Sequence, residues 1–254
     1  MALFVNGKGI VMDCGEGFTR RLLEQDVDPK DIEVVSISHG HADHLAGIVG
    51  FLWQNWLVSH RENILEIVAP SYIFPRIQSL MDLVSTPPGA LTYPMKFMPI
   101  DEERPLDECE VSLSSTGTEQ GITITRQHAP GIHDPASFAT RFNIRDAGDG
   151  TSVSICYSGD TTPVHEIAEL AAGCNLLIHE CTYLDEDAEK AAKVSHSTPS
   201  GVGKIATEAN VGKLVLTHYS VLLEGREDEF AAQAAETFAG PIVVARDLME
   251  IDEF

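Results

Sequence analysis

The chain has 254 residues, 43% of them hydrophobic and 22% charged, the balance of a globular protein long enough to bury a sizeable core. Its 39 acidic residues outnumber 17 basic ones and leave a formal net charge of −22. A surface of that sign repels phosphate chains at long range and no Lys/Arg run interrupts it, so nucleic acid is not expected as a partner.

No apolar run has the length of a membrane span, and no signal peptide is expected at the start. The five cysteines, at 14, 109, 156, 174 and 181, are odd in number, mostly in apolar context, and never spaced Cys-x-x-Cys. They read as free thiols in a reducing compartment, which points to the cytoplasm and away from thiolate metal sites.

Residues 2–13 read as a hairpin: apolar strand, Asn-Gly turn, apolar strand. Asp13-Cys14-Gly15-Glu16-Gly17 then opens a helix over 18–25. A Gly-rich turn before a helix can cradle an anion, or can be no more than a tight turn. Asp13 lies in buried context and needs a polar partner, which suits support of a neighbouring ligand. The β-branched run 32–37 is a buried strand, and His39-Gly40-His41-Ala42-Asp43-His44 follows it at once. Four metal-ligand side chains within six residues, on a loop held by a strand end and followed by a helix over 45–57, suit zinc, with manganese or iron as alternatives.

A strand over 64–69, a helix over 72–83, a Pro/Gly loop at 86–89 and strands near 95–100, 111–115 and 122–127 come next. His128 and His133 follow, His133 standing eight residues before Arg141. A strand over 153–157 ends in Ser158-Gly159-Asp160-Thr161, where a carboxylate at a strand end can bridge two cations. A strand over 176–180 ends in His179-Glu180, followed by Cys181-Thr182-Tyr183 and then Ser195-His196-Ser197-Thr198. A carboxylate holding one imidazole nitrogen suits a general acid, while Ser197 or Thr198 before Pro199 is also good N-cap chemistry. A helix over 201–209, a strand over 214–216 ending in Thr217-His218-Tyr219-Ser220, an acidic helix over 227–238 and a strand over 241–245 complete the chain.

The hexad at 39–44 resembles the metal-binding motif of the metallo-β-lactamase superfamily, with His41 where the flavodiiron branch has Glu. The stretches at 13–17, 179–180, 195–198 and 245–249 resemble the ribonuclease Z branch. The resemblance implies an α/β fold, the four-layer αββα sandwich, as one domain over residues 1–254. It also implies a further N-terminal strand that this chain does not carry. It implies two divalent metal ions, one held by His39, His41, His133 and Asp160, the other by Asp43, His44, Asp160 and His218. His133 is preferred to His128 by its spacing to Arg141. Asp43 acts with the ions, and Glu180 orients His196 to protonate the leaving oxygen.

The expected function is hydrolysis of a small phosphodiester by a metal-bridging hydroxide. Lactonase, arylsulfatase or β-lactamase activity is the alternative at the same centre, and a metal-binding protein without catalysis is the alternative of another class. Ribonuclease Z carries a tRNA-gripping arm between the third His and the bridging Asp. Here 26 residues separate His133 from Asp160, room for one hairpin. That and the acidic charge argue for a small ester substrate over tRNA 3′-processing. A homodimer is implied by the resemblance alone.

Overall fold

The computed structural model describes residues 1–104, 106–114, 116 and 121–252. They divide into two compact units, Met1–Glu103 with Ser112–Gly121 and Arg104–Val111 with Ile122–Phe254. Each has its own sheet and its own apolar core.

The sheet of the first unit runs in chain order: β1 (Ala2–Val5), β2 (Lys8–Met12), β3 (Ile32–Ser36), β4 (Leu65–Ala69) and β5 (Met95–Pro99). The first two strands form the expected hairpin, with Asn6 and Gly7 both left-handed at φ 49° and 77°. The other pairings are parallel. Every residue of β3 and β4 is buried, Glu33 and Glu66 included, which is why apolar residues fall on both faces of each strand. Helices α1 (Phe18–Glu24), α2 (Ala42–Leu45), α3 (Ile48–Leu57) and α4 (Ile73–Leu83) accompany them. Ile73, Ile77 and Met81 put one buried stripe of α4 into the core with Phe51, Leu52 and Ile67.

The single helix expected over 45–57 is two. The Gly47 amide donates to the Cys14 carbonyl (2.9 Å) rather than up its own helix, and the ladder breaks there.

The second unit holds β6 (Cys109–Val111), β7 (Ile122–Pro130), β8 (Phe138–Asp146), β9 (Ser152–Tyr157), β10 (Leu176–Glu180), β11 (Lys213–Thr217) and β12 (Ile242–Val244). They too lie side by side in chain order. The strands β6 to β9 are an antiparallel meander, and β9 to β12 pair in parallel. Helices α5 (His165–Leu170), α6 (Ala188–Lys193), α7 (Pro199–Glu208) and α8 (Glu227–Ala235) accompany them; α5 lies against β7 and β8, α7 against β11 and α8 against β12, and the buried faces of α5, α7 and α8 meet in a core around Leu177, Leu214, Val202 and Phe230. Two of these, α5 and α6, were not expected; at six residues each they are too short to show a period. The strand expected over 111–115 stops at Val111, and Ser115 lies outside the described residues.

None of the five thiols is in a disulfide, and all but Cys109 are buried. No helix among the described residues is long and apolar enough to cross a membrane.

β7 is longer than expected and takes in His128, which faces Thr140 across the β7–β8 ladder with Nδ1 3.0 Å from its hydroxyl. Burial pushes this imidazole down to about 3. As pH falls below the ordinary value near 6.5, the unfolded chain takes up a proton there and the folded chain does not, so stability is lost with acid. We expect His128 to account for about 2 kcal/mol of lost stability between pH 7 and pH 5. Urea midpoints at the two pH values should therefore differ less in His128→Gln than in the parent, and an identical pH dependence would refute the assignment.

Candidate metal centre

In the first unit β2 and β3 are parallel neighbours, so Asp13, after β2, and Ser38 and His39, after β3, emerge side by side at the carboxyl ends of the strands. Asp13 has left-handed backbone, φ 63°, and is buried. Its Oδ1 accepts from the Ser38 amide (2.7 Å), and its Oδ2 from the Ser38 hydroxyl (2.8 Å) and His44 Nδ1 (2.7 Å). With that hydroxyl proton committed to Asp13, Ser38 Oγ is left to accept from His39 Nδ1 at 3.0 Å. One carboxylate thus sets the tautomer of two buried imidazoles and leaves Nε2 of both as a lone pair.

His39 Nε2 stands 3.1 Å from His41 Nδ1. Two nitrogens on a tetrahedral zinc ion are about 3.3 Å apart, so this pair has the spacing of two ligands to one cation. The Asp43 carboxylate is 64% exposed and 3.6 Å from His44 Nε2.

The Gly-rich turn at 13–17 proves to be a packing surface. A Cβ on Gly15 would fall 2.0 Å from the Asp43 carbonyl oxygen, and one on Gly47 would fall 1.9 Å from that of Gly15. The Cys14 amide donates to the His44 carbonyl at 2.8 Å. The turn therefore fastens α2, with Asp43 and His44, to the end of β2.

In the second unit Asp160 and His218 follow the parallel strands β9 and β11, and Glu180 ends β10 between them. The bend before Asp160 needs a left-handed residue, which Gly159 supplies at φ 58°; His218 itself is left-handed at φ 60°. His218 Nε2 lies 3.5 Å from Asp160 Oδ2, and Asp160, His196 and His218 can each offer a ligand atom within 4.8 Å of the others.

His133 donates Nδ1–H to the Ser195 carbonyl (3.2 Å), and its ring is 5.1 Å from that of His196. His128 stays in its strand, so of the two His133 is the one that joins the donors. Thr161 gathers the loops. Its hydroxyl accepts from the Ile132 amide (2.9 Å), and its carbonyl accepts from the Ser197 hydroxyl (2.7 Å).

The buried Glu180 carboxylate accepts from the Ser197 amide (2.7 Å), the Thr182 amide (3.0 Å) and the Thr182 hydroxyl (2.9 Å), with His196 Nδ1 at 3.3 Å. That hydroxyl, its proton given to Glu180, lies 3.1 Å from His196 Nδ1 and 3.0 Å from His218 Nδ1. Both rings are thereby held as Nδ1–H tautomers with Nε2 presented. They stack at 5.6 Å. Among the expected site residues Thr182 was missed. Its signal was a hydroxyl two residues beyond a carboxylate at a strand end, close enough to fold back on it.

The capping expectation also changes. Thr198 is the N-cap of α7 but its side chain makes no cap bond, and Ser197 is engaged with Glu180 and Thr161. The helix amide of Ser200 is met instead by Asp185 Oδ1 at 3.1 Å.

The donors of each unit fit a divalent cation that takes nitrogen and oxygen: imidazoles anchored through one nitrogen, carboxylates beside them, and no thiolate in the set. Thr182→Val keeps the shape and removes the hydroxyl that orients His218. It should weaken zinc binding by about tenfold or more, with Thr182→Ser restoring it. Competition with a chromophoric chelator measures this, and parent-like affinity in the valine variant would deny the hydroxyl its role.

Residues 8–219 match the family model described as "Beta-lactamase superfamily domain". A ribonuclease Z of Brevibacillus brevis is 28% identical over 275 positions, taking in 96% of this chain and 86% of that protein. A ribonuclease Z of Methanothermobacter thermautotrophicus is 28% identical over 284 positions, with 99% and 90% covered. Both alignments are longer than the chain, so these relatives carry segments that it lacks. Among solved structures, the metallo-β-lactamase fold protein YhfI of Bacillus subtilis superposes with TM-score 0.75 at 21% identity, covering 97% of this chain and 88% of that one. The short form of human tRNase Z gives 0.71 at 23% identity, covering 99% and 91%.

These relatives overturn the expectation against nucleic acid as a partner. The physical error was to read a net charge, a sum over the whole surface, as though it were the local potential where a phosphate would bind. The α/β fold, the donor clusters and the matched family agree: this chain belongs to the metallo-β-lactamase superfamily, as a metal-dependent hydrolase related to ribonuclease Z.

Proposed function

We propose that the protein is a phosphodiesterase acting on the phosphodiester bonds of RNA, the substrate class carried by the name of its relatives. In this reading the donors of the two units serve two divalent ions, zinc first and manganese or iron as alternatives. His39, His41, His133 and Asp160 hold one, and Asp43, His44, Asp160 and His218 the other. When bound, the ions supply a hydroxide nucleophile near neutral pH and offset the charge that builds on phosphorus.

The observation that carries the phosphodiester reading is the Glu180–Thr182–His196 cluster beside Asp160 and His218. A ribose oxygen leaves poorly without a proton. Glu180 and the Thr182 hydroxyl both stand at Nδ1 of His196, which holds the ring and leaves Nε2 to serve the leaving oxygen. Asp160 would be shared by both ions, and Asp43, exposed on α2, would act with them. A pocket for an activated ester or lactone has less need of such an acid.

The stretch between His133 and Asp160 is taken up by the β8–β9 hairpin, which leaves no room for an arm there, so RNA has to be engaged by other surfaces.

The metal-loaded protein should turn over a chromogenic phosphodiester such as bis(p-nitrophenyl) phosphate, and Asp160→Ala should lose both metal occupancy and turnover. His196→Ala should keep the metals, lose roughly a hundredfold in kcat on a diester with an alkyl leaving group, and lose less than tenfold with p-nitrophenol. No phosphodiester turnover from protein with metals confirmed bound would move the reaction to lactones, sulfate esters or β-lactams. Loss independent of the leaving group would remove His196 as the acid.

A further inference from the structure

The loop carrying His39 and His41 has a cation lying against it that the metal chemistry does not use. α4 begins after Tyr72, and Arg76 stands one turn later. The Arg76 guanidinium lies over the Tyr72 ring, 4.7 Å from its centre, and Nη1 donates to the Gly40 carbonyl at 3.4 Å. A Cβ on Gly40 would fall 2.1 Å from that nitrogen, so the guanidinium lies directly on the backbone between the two histidine ligands, and a side chain at 40 would push it away.

Arg76 is exposed, yet among the described residues no carboxylate pairs with it. Several cations of this acidic chain are committed: the exposed Lys30 to Asp28 and Arg21 to Glu24, and the half-buried Arg226 to Glu186 and Glu229. The segment 72–80 contains no acidic residue, and the carboxylates felt at Tyr72 come from elsewhere in the chain, Glu102 and Asp13, neither of them paired with Arg76. Lys190, over the Tyr183 ring at 4.6 Å, is placed similarly but sits among Asp185, Glu186, Asp187 and Glu189.

An aromatic face and a carbonyl fix the plane of the Arg76 guanidinium without neutralising it. One N–H is given to Gly40, and the rest of the planar fork is open to an anion with two oxygens. We infer that Arg76 binds a phosphate of the substrate next to the scissile one. The scissile phosphate is the task of the histidine and aspartate ligands, whereas Arg76 touches the outside of their loop. The inference rests on the phosphodiesterase reading for its turnover test but not for its binding test.

Two substrates separate the contributions: bis(p-nitrophenyl) phosphate, with a single phosphate, and thymidine 3′-phosphate 5′-(p-nitrophenyl phosphate), with a second. In Arg76→Gln, KM for the second should rise at least tenfold more than KM for the first, the size expected for a lost charge-assisted hydrogen bond. Arg76→Lys should recover part of that loss, because the charge remains and the fork does not. Equal losses on both substrates, or none on either, would overturn the inference.

Calorimetric binding of thymidine 3′,5′-bisphosphate to the metal-loaded parent and to Arg76→Gln needs no turnover. A protein inactive on both diesters that still binds the bisphosphate tenfold more weakly as the variant would sink the hydrolytic reading and keep this one. Equal affinities, including no binding by either, would overturn it.

Discussion

A buried carboxylate that receives hydrogen bonds from one amide, one hydroxyl and one imidazole fixes the loop that carries the histidine hexad. Asp13 is left-handed in backbone and enclosed, and it is bonded to the Ser38 amide, the Ser38 hydroxyl and His44. Because the hydroxyl passes the constraint on to His39, a single negative charge decides which nitrogen of two imidazoles carries a proton. A neutral side chain there would leave both rings free to flip and offer the wrong atom. The second unit solves the same problem differently. There a hydroxyl, Thr182, stands against two imidazoles, and its own proton is claimed by Glu180. Both devices are buried, where a hydrogen bond is stronger and a missing one costs more.

The parts legible in the sequence were those whose cause is local. Buried parallel strands such as β3 and β4 announce themselves as β-branched runs, and the hexad after β3 puts its ligands within one loop. What could not be read depends on residues far apart in the chain. The break between α2 and α3 comes from an amide–carbonyl bond between Gly47 and Cys14. The α7 terminus is satisfied by Asp185 rather than by its own Thr198. Thr182 is one threonine among many until the fold sets it against His196 and His218. Arg76, likewise, is an ordinary helix residue until α4 lays it on Gly40.

The charge argument failed for a related reason. A total of −22 describes how the molecule as a whole meets a polyanion at a distance. It does not describe the few ångströms around the ligand loops. There the acidic groups are consumed by histidines and amides, as Asp13 and Glu180 are. Long-range repulsion lowers the rate of encounter and makes it sensitive to salt, while the strength of the bound state is set by short contacts. An acidic hydrolase can thus still take an anionic substrate.

The contact of Gly15 with the Asp43 carbonyl, and of Gly47 with Gly15, has a bearing on how the protein acquires its cations. Two backbones in direct contact, tied by the Cys14–His44 and Gly47–Cys14 bonds, leave the loop little freedom to relax when no ion is present. Little ordering entropy then remains to be lost on binding, so affinity is gained through preorganisation. The same rigidity slows escape, since an ion can leave only as the ligand side chains move and not by the loop opening. Exchange of one metal for another in such a loop is governed by kinetics, and the ion first captured by the newly folded chain tends to stay.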